Sequence, residues 1–238
     1  MVVTGMHDWE IIASRDPFFG VICSEDYRAG RIDAEARTRF YASGERNIAH
    51  VLSLFDADLG ARPGQGRALD IGCGLGRLSY AMAKVMPAVV GYDVSETMIR
   101  LARENAPPNL DLTTRLPDGP FEWINSLIVF QHIPPAEGLA LLDACLERSA
   151  PRAFISIQVT GWRTGAQPAR NWLARFRRWR NVRIHRQSGQ AVDPLIAMHE
   201  YNFSDVLKCV MSRGFERVVL RHTAHGDHHG AWIIGRRE

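Results

Sequence analysis

The spacing of apolar residues changes character near residue 60. Before it, Ile48, Val51, Leu52 and Phe55 recur at helical intervals, and residues 1–60 read as helices. The loop GARPGQG, 60–66, ends that stretch. After it, short apolar runs alternate with amphipathic segments. RALDI (67–71), AVVGYD (88–93), LDLTTR (110–115), NSLIVF (125–130), RAFISIQV (152–159), FERVVLRH (215–222) and AWIIGRR (231–237) read as strands. Between them, 75–86 places Leu75, Leu78, Met82 and Val85 on one helical face. A helix over 95–106 opens on Ser95 as N-cap. A third, 134–148, opens on prolines, and a fourth, Ser204 to Arg213, is closed by Gly214.

Strands alternating with helices predict an α/β fold with a doubly wound, mostly parallel seven-stranded sheet. The last two strands are too close for a parallel crossover, so they are expected to form an antiparallel hairpin. One domain is expected. It divides into a helical cap at 1–60, a ligand-binding core at 66–160, an insert at 161–200, and a helix and hairpin at 201–238.

Composition narrows the class. Four dispersed cysteines (Cys23, Cys73, Cys145 and Cys209) suggest neither a disulfide framework nor a zinc site, and a reducing cytoplasm fits best. No leader sequence or membrane span is expected. The net charge of +3 conceals an asymmetry: residues 161–192 hold eight arginines and no acid, leaving 21 basic and 26 acidic residues elsewhere, net −5.

The first strand runs into Asp70-Ile71-Gly72-Cys73-Gly74-Leu75-Gly76. The glycines permit a tight turn and close approach of a ligand to the backbone. Asp93 ends the second strand, 17 residues after Gly76, where an acid can accept hydrogen bonds from ribose hydroxyls. Asp70, two residues before the first glycine, suits a cationic head such as an amine and would repel a pyrophosphate.

LDIGCGLGRLSYAMA, VVGYDVSETMIRLARENAP and SLIVFQHIPP together resemble the first, second and fourth motifs of class I S-adenosylmethionine-dependent methyltransferases, of the bacterial small-molecule type. That resemblance implies a Rossmann-like fold and S-adenosylmethionine as cofactor. It implies that Asp70, Gly72, Cys73 and Gly74 line the methionine end. Asp93 would hold the ribose, Val94 and Met98 would flank the adenine, and Phe130 and Gln131 would lie under the sulfonium. The family's acid after the third strand has Asp118 as its nearest candidate here. Phe40 to Glu45 resembles a segment that precedes the first motif in some members, and the N-terminal part is expected to cap the cofactor.

A hydroxyl acceptor needs a base. His132 follows the fourth strand, at the carboxyl edge where open α/β sheets bind ligands, and is the candidate catalytic base. A histidine that only hydrogen-bonds its own loop is the competing reading. Four of the nine histidines fall within 222–229. His225 and His228 from that cluster, with His199 and Tyr201, are candidate acceptor-binding residues. The cluster also reads as a solvated turn, and its spacing matches no standard zinc pattern, so no metal site is assigned.

In the arginine-rich insert, Trp172, Leu173, Phe176 and Trp179 share one helical face, and Arg175, Arg177, Arg178 and Arg180 lie opposite. The readings are a lid over an anionic acceptor, contact with RNA phosphates, peripheral contact of 171–180 with an anionic membrane, or a solvated helix. The expected activity is O-methylation of a small molecule, saccharide or glycoconjugate. RNA methylation and a membrane-associated, lipid-linked acceptor are the alternatives. A nucleic-acid partner is not expected, because Gln131-His132-Ile133-Pro134 stands where base methylation uses Asn/Asp-Pro-Pro-aromatic.

Overall fold

The structure is a computed structural model, and it describes residues 6–164 and 197–238. The proposed helix at 171–180, with most of the arginine-rich insert, lies outside the described residues.

Seven strands form one sheet in the order β3-β2-β1-β4-β5-β7-β6. They are β1 (Arg67–Ile71), β2 (Ala88–Tyr92), β3 (Leu110–Thr113), β4 (Phe121–Ser126), β5 (Ser149–Arg163), β6 (Phe215–His225) and β7 (His228–Arg237). β1 to β5 are mutually parallel, and β7 enters antiparallel between β5 and β6. β6 therefore points the same way as β1–β5, and the β6–β7 turn opens on the carboxyl edge of the sheet. This is the mostly parallel sheet with a C-terminal hairpin that the alternating pattern predicts, and the Rossmann-like fold that the resemblance implies.

The helices are α1 (Met6–Arg15), α2 (Pro17–Val21), α3 (Ala34–Leu54), α4 (Arg77–Ala83), α5 (Glu96–Arg103), α6 (Pro135–Leu146) and α7 (Phe203–Ser212). α3, α4 and α5 cover one sheet face, and α6 and α7 cover the other. On the first face Phe55 is fully buried, edge-on to Trp123 at 5.6 Å and Phe154 at 5.3 Å. Burying each such ring contributes about 1.5–3 kcal/mol. A separate small core of Ala13, Phe40, Leu75 and Met98 joins α1 and α3 to the glycine loop and α5. The N-terminal helices are thereby seated over the carboxyl edge.

Local signals set several boundaries. Ser95 caps α5 by accepting from the Met98 N–H at 3.1 Å, and Gly214 ends α7 at φ +81°. Val85, expected on the apolar face of α4, is 42% exposed, because the helix ends at Ala83.

Two expectations are corrected. NSLIVF is not one strand: β4 runs from Phe121 to Ser126, and the chain then leaves the sheet. Ile128 adopts φ +62°, a strained value for a β-branched residue, with its N–H bonded to Gln158 Oε1 at 3.1 Å. The histidine cluster is not a loop. β6 and β7 continue through it, and only Gly226 and Asp227 form the turn.

Candidate active site

Four segments of the carboxyl edge and the N-terminal helices enclose a cavity of about 600 Å³. This is within the range of about 300–1,000 Å³ usual for small-ligand sites. At one end stand Asp70, Gly72, Cys73, Gly74 and Arg77, with Asp93, Val94 and Met98 beside them. At the other stand Gln131, His132, His225, His228, Met198 and Trp9. Residues far apart in sequence thus meet because β1, β2, β4 and β6 all end on one edge.

The glycine loop is shaped by its surroundings. Gly72 and Gly74 have φ of +69° and +52°. A Cβ at Gly72 would lie 2.4 Å from Val129, and one at Gly74 would lie 2.8 Å from Val21. No side chain fits at either position. The N–H groups of Gly72 and Cys73 donate to Tyr92 O at 2.7 and 3.1 Å, stitching the turn to β2.

Asp70 is 1% exposed. Its carboxylate accepts from Ser79 Oγ at 2.6 Å and Asn125 Nδ2 at 2.9 Å. Ser156 Oγ donates to Asn125 Oδ1 at 2.7 Å and accepts from Trp123 Nε1 at 2.8 Å. Asp70, Asn125 and Ser156 are register partners on three adjacent strands, so the sheet itself holds this network. Burial raises the Asp70 carboxyl to about 6, against the opposing hydrogen bonds of Ser79 and Asn125.

Asp93 accepts from the Gly74 N–H at 2.8 Å and the Ser95 N–H at 2.9 Å. Burial raises its carboxyl, and these backbone bonds oppose the shift. It joins the glycine loop to the start of α5. Glu10, from α1, accepts from Ser95 Oγ at 2.6 Å and also from Thr97 Oγ1. Burial pushes the Glu10 carboxyl up, and the bonds from Ser95 and Thr97 outweigh it, leaving a lowered value.

His132 sits on the 3₁₀ turn Phe130–His132. Its Nδ1 lies 2.9 Å from Ala197 O. A carbonyl only accepts, so Nδ1 carries the hydrogen and Nε2 carries the lone pair. Nε2 faces Gln131 Nε2 at 3.2 Å, and Gln131 Oε1 accepts from Thr160 Oγ1 at 2.9 Å. Trp9 meets the imidazole edge-on at 5.1 Å. Burial lowers the His132 pKa; the Ala197 bond raises it, and His199 and His228 lower it further.

The remaining candidates are distributed differently. Phe130 and Tyr201 are both buried and stand behind the wall, ring to ring at 6.0 Å. Tyr201 Oη donates to Ile133 O at 2.9 Å, bracing the loop that carries His132. His199 donates its backbone N–H to Gln131 O at 2.6 Å. Asp118 is not near the adenine end: its carbonyl accepts from Arg67, at the opposite, amino edge of β1. His222 and His229 face away from His225 and His228 and stack with Trp162. Among the described residues no group of three or more His, Cys, Asp or Glu converges as a metal site.

Nothing in the sequence pattern marks Trp9, Arg77, Ser79 or Asn125 as parts of the site. Ser79 and Asn125 reach Asp70 through helix phase and strand register, and Trp9 arrives by the docking of α1.

Residues 68–152 match a protein family described as a methyltransferase domain. The sheet order and the cavity at its carboxyl edge are those of the Rossmann-like methyltransferase fold. A ubiquinone biosynthesis O-methyltransferase of Xanthomonas campestris pv. campestris (strain B100) is 30% identical over 125 residues, covering 46% of this chain and 51% of the relative. The chain thus spans about half the length of the curated relatives it matches. A magnesium protoporphyrin IX methyltransferase from Synechocystis PCC 6803, solved with bound SAH, superposes with a TM-score of 0.62 at 18% identity, over 97% of this chain and 100% of the other. An amino pentose methyltransferase from Micromonospora echinaspora superposes at 0.57 with 16% identity, over 86% and 96%.

Proposed function

We propose that this protein binds S-adenosylmethionine and methylates an oxygen of a small molecule, with a saccharide or glycoconjugate as the preferred acceptor. One observation carries the reading: Asp70, the glycine loop and Asp93 share a single cavity with His132. The chain's residues fit the cofactor. Asp70 offers an anion to an ammonium, Asp93 keeps acceptor capacity for ribose hydroxyls, and Gly72 and Gly74 leave backbone bare where a ligand must pass. Val94 and Met98 supply apolar contact for a base.

When bound, the cofactor supplies a methyl group made electrophilic by its sulfonium. The protein must then align an acceptor oxygen and remove its proton. His132 is the base of this scheme. Its tautomer leaves Nε2 able to take a proton once the 3.2 Å contact with Gln131 yields to the acceptor. His225 and His228 hydrogen-bond the acceptor's other polar groups. Trp9 and Met198 shield the reacting centre from water.

The O-methyltransferase among the relatives supports oxygen as the methylated atom. The amino pentose methyltransferase among the neighbours supports a sugar-sized acceptor. Four free thiols support a cytoplasmic site of action, and no described helix is long and apolar enough to cross a membrane.

The test is a transfer assay with methyl-labelled cofactor against cell extract separated into sugars, lipids and RNA. Label is expected in the hydroxylated small-molecule fraction, alkali-stable as an ether. Label in RNA would overturn the reading. Label in the lipid fraction would replace the free acceptor with a lipid-linked one.

A further inference from the structure

A chain of hydrogen bonds with a fixed polarity runs from the Ala197 carbonyl to the far part of β5. Ala197 O can only accept, so His132 Nδ1, 2.9 Å away, carries the hydrogen. His132 Nε2 then presents a lone pair, and the group 3.2 Å from it must be a donor, the Gln131 Nε2 amide. Gln131 Oε1 is thereby turned to Thr160 Oγ1 at 2.9 Å, and the hydroxyl donates to it. No link reverses without reversing the others. Thr160 is 2% exposed and Gln131 8%, so bulk water does not replace a partner lost here.

Thr160 is held firmly, behind the cavity wall rather than in it. Its carbonyl accepts from the Tyr201 N–H at 2.7 Å, and its register partner on β7 is Gly230. A Cβ on Gly230 would lie 2.1 Å from the Val159 carbonyl oxygen and 3.0 Å from Thr160 Cα, so β7 lays bare backbone against this point of β5. Gln158, two residues earlier and on the same face of β5, accepts from the Ile128 N–H at 3.1 Å. β5 thus holds both ends of the segment 128–132 through side chains. Gln158 secures the strained turn, and Thr160 meets the Gln131 amide.

We propose that Thr160 is a positioning residue: its hydroxyl fixes the Gln131 amide so that a donor, and not an acceptor, faces the His132 lone pair. This rests on the reading of His132 as the base. Gln131 then holds the place that the acceptor molecule's hydroxyl takes, one N–H donor exchanged for one O–H donor. An acceptor arriving as a neutral hydroxyl fits that exchange, whereas an anionic oxygen meets a lone pair. Without the Thr160 hydroxyl the amide is free to turn. Gln131 Oε1 facing His132 Nε2 favours a hydrogen on that nitrogen, which blocks the base. The other titratable groups acting on His132 are His199, ahead of α7, and His228 on β7, while α1 contributes the uncharged Trp9. All three stay unchanged in the test.

The experiment reads the His132 imidazole by NMR in protein carrying isotope-labelled histidine, with His132→Ala identifying its signals. Neither cofactor nor acceptor is needed. Wild-type protein is expected to carry the hydrogen on Nδ1. Thr160→Val keeps a branched side chain suited to a strand and removes the hydroxyl. It is expected to raise the proton affinity of His132 by about threefold or more, and to move part of the hydrogen to Nε2. Thr160→Ser is expected to restore both. In a transfer assay the acidic limb of kcat moves to higher pH in Thr160→Val, with the cofactor Kd within about threefold. A His132 titration and tautomer unchanged in Thr160→Val overturn the proposal, and so does a Thr160→Ser protein that behaves like Thr160→Val. Should Thr160→Val not fold, the wild-type tautomer decides alone: hydrogen on Nδ1 supports the proposal and hydrogen on Nε2 overturns it. If the NMR results hold but His132→Ala keeps its kcat, the base reading fails and the role of Thr160 in the reaction fails with it.

Discussion

The Asp70 carboxyl gives the site a built-in pH response. Its folded value of about 6 lies above the ordinary value near 3.9. In the ligand-free protein, ionisation of Asp70 therefore opposes folding as the pH rises through about 6. An ammonium bound against it reverses that cost. The gain in melting temperature from S-adenosylhomocysteine is thus expected to be larger at pH 7 than at pH 5, read by scanning fluorimetry in one buffer series. An equal gain at both pH values would remove Asp70 from the ammonium contact. At the other end, His132→Ala is expected to lower kcat by about 10²–10⁴-fold while leaving the cofactor Kd within about threefold. Because burial lowers the His132 pKa, the imidazole is neutral at pH 7. The acidic limb of the rate profile should fall below pH 6.5, the ordinary histidine value. A kcat unchanged in the variant makes His132 a loop-bonding residue.

At this scale the sequence is readable where chemistry depends on local spacing. Asp70, Gly72, Gly74 and Asp93 stand at fixed offsets from two strand ends, so the chain's own pattern places them. It does not place Asn125 and Ser156, because their bonds to the Asp70 network depend on cross-strand register. Phe130 belongs to the right motif, yet the turn begun at Ile128 rotates its ring into the core.

Among elements, α1 has more to do than cover the site. It carries Glu10 to the start of α5 and Trp9 to the face of His132. Glu10→Ala should release that attachment. Stopped-flow fluorescence is expected to show S-adenosylhomocysteine leaving several-fold faster, because α1 holds Trp9 in the cavity wall. An unchanged off-rate would show that apolar packing alone holds α1. The contact of α3 with α4 offers a stability test. Gly44→Ala forces a methyl against the Arg77 carbonyl and is expected to cost about 1–3 kcal/mol in urea unfolding. Little of this is visible in periodicity. A residue such as Gly44 looks like a poor helix former until the partner backbone is in place.

For the whole molecule, the reversal of β7 matters most. It lets β6 run with the parallel strands, so the β6–β7 turn delivers His225 and His228 to the edge that holds Asp70. The hairpin itself is readable from the short connection, and its consequence for the histidines follows once β6 is known to be parallel. β6 closes the sheet as an edge strand. Arg221 and Arg217 on it bind Asp58 and the carbonyls of Asp58 and Leu59, which tie that edge to the turn after α3. Among the described residues, it is the acidic body that builds the cavity.

The central claim is that Asp70, the glycine loop and Asp93 form one cofactor site. Calorimetric titration of S-adenosylhomocysteine into the purified protein tests it most directly. One site per chain is predicted, with affinity weakened by about 30-fold or more in Asp93→Ala, which loses a charged acceptor for the ribose. No binding to the wild type, or undiminished binding to Asp93→Ala, would contradict it.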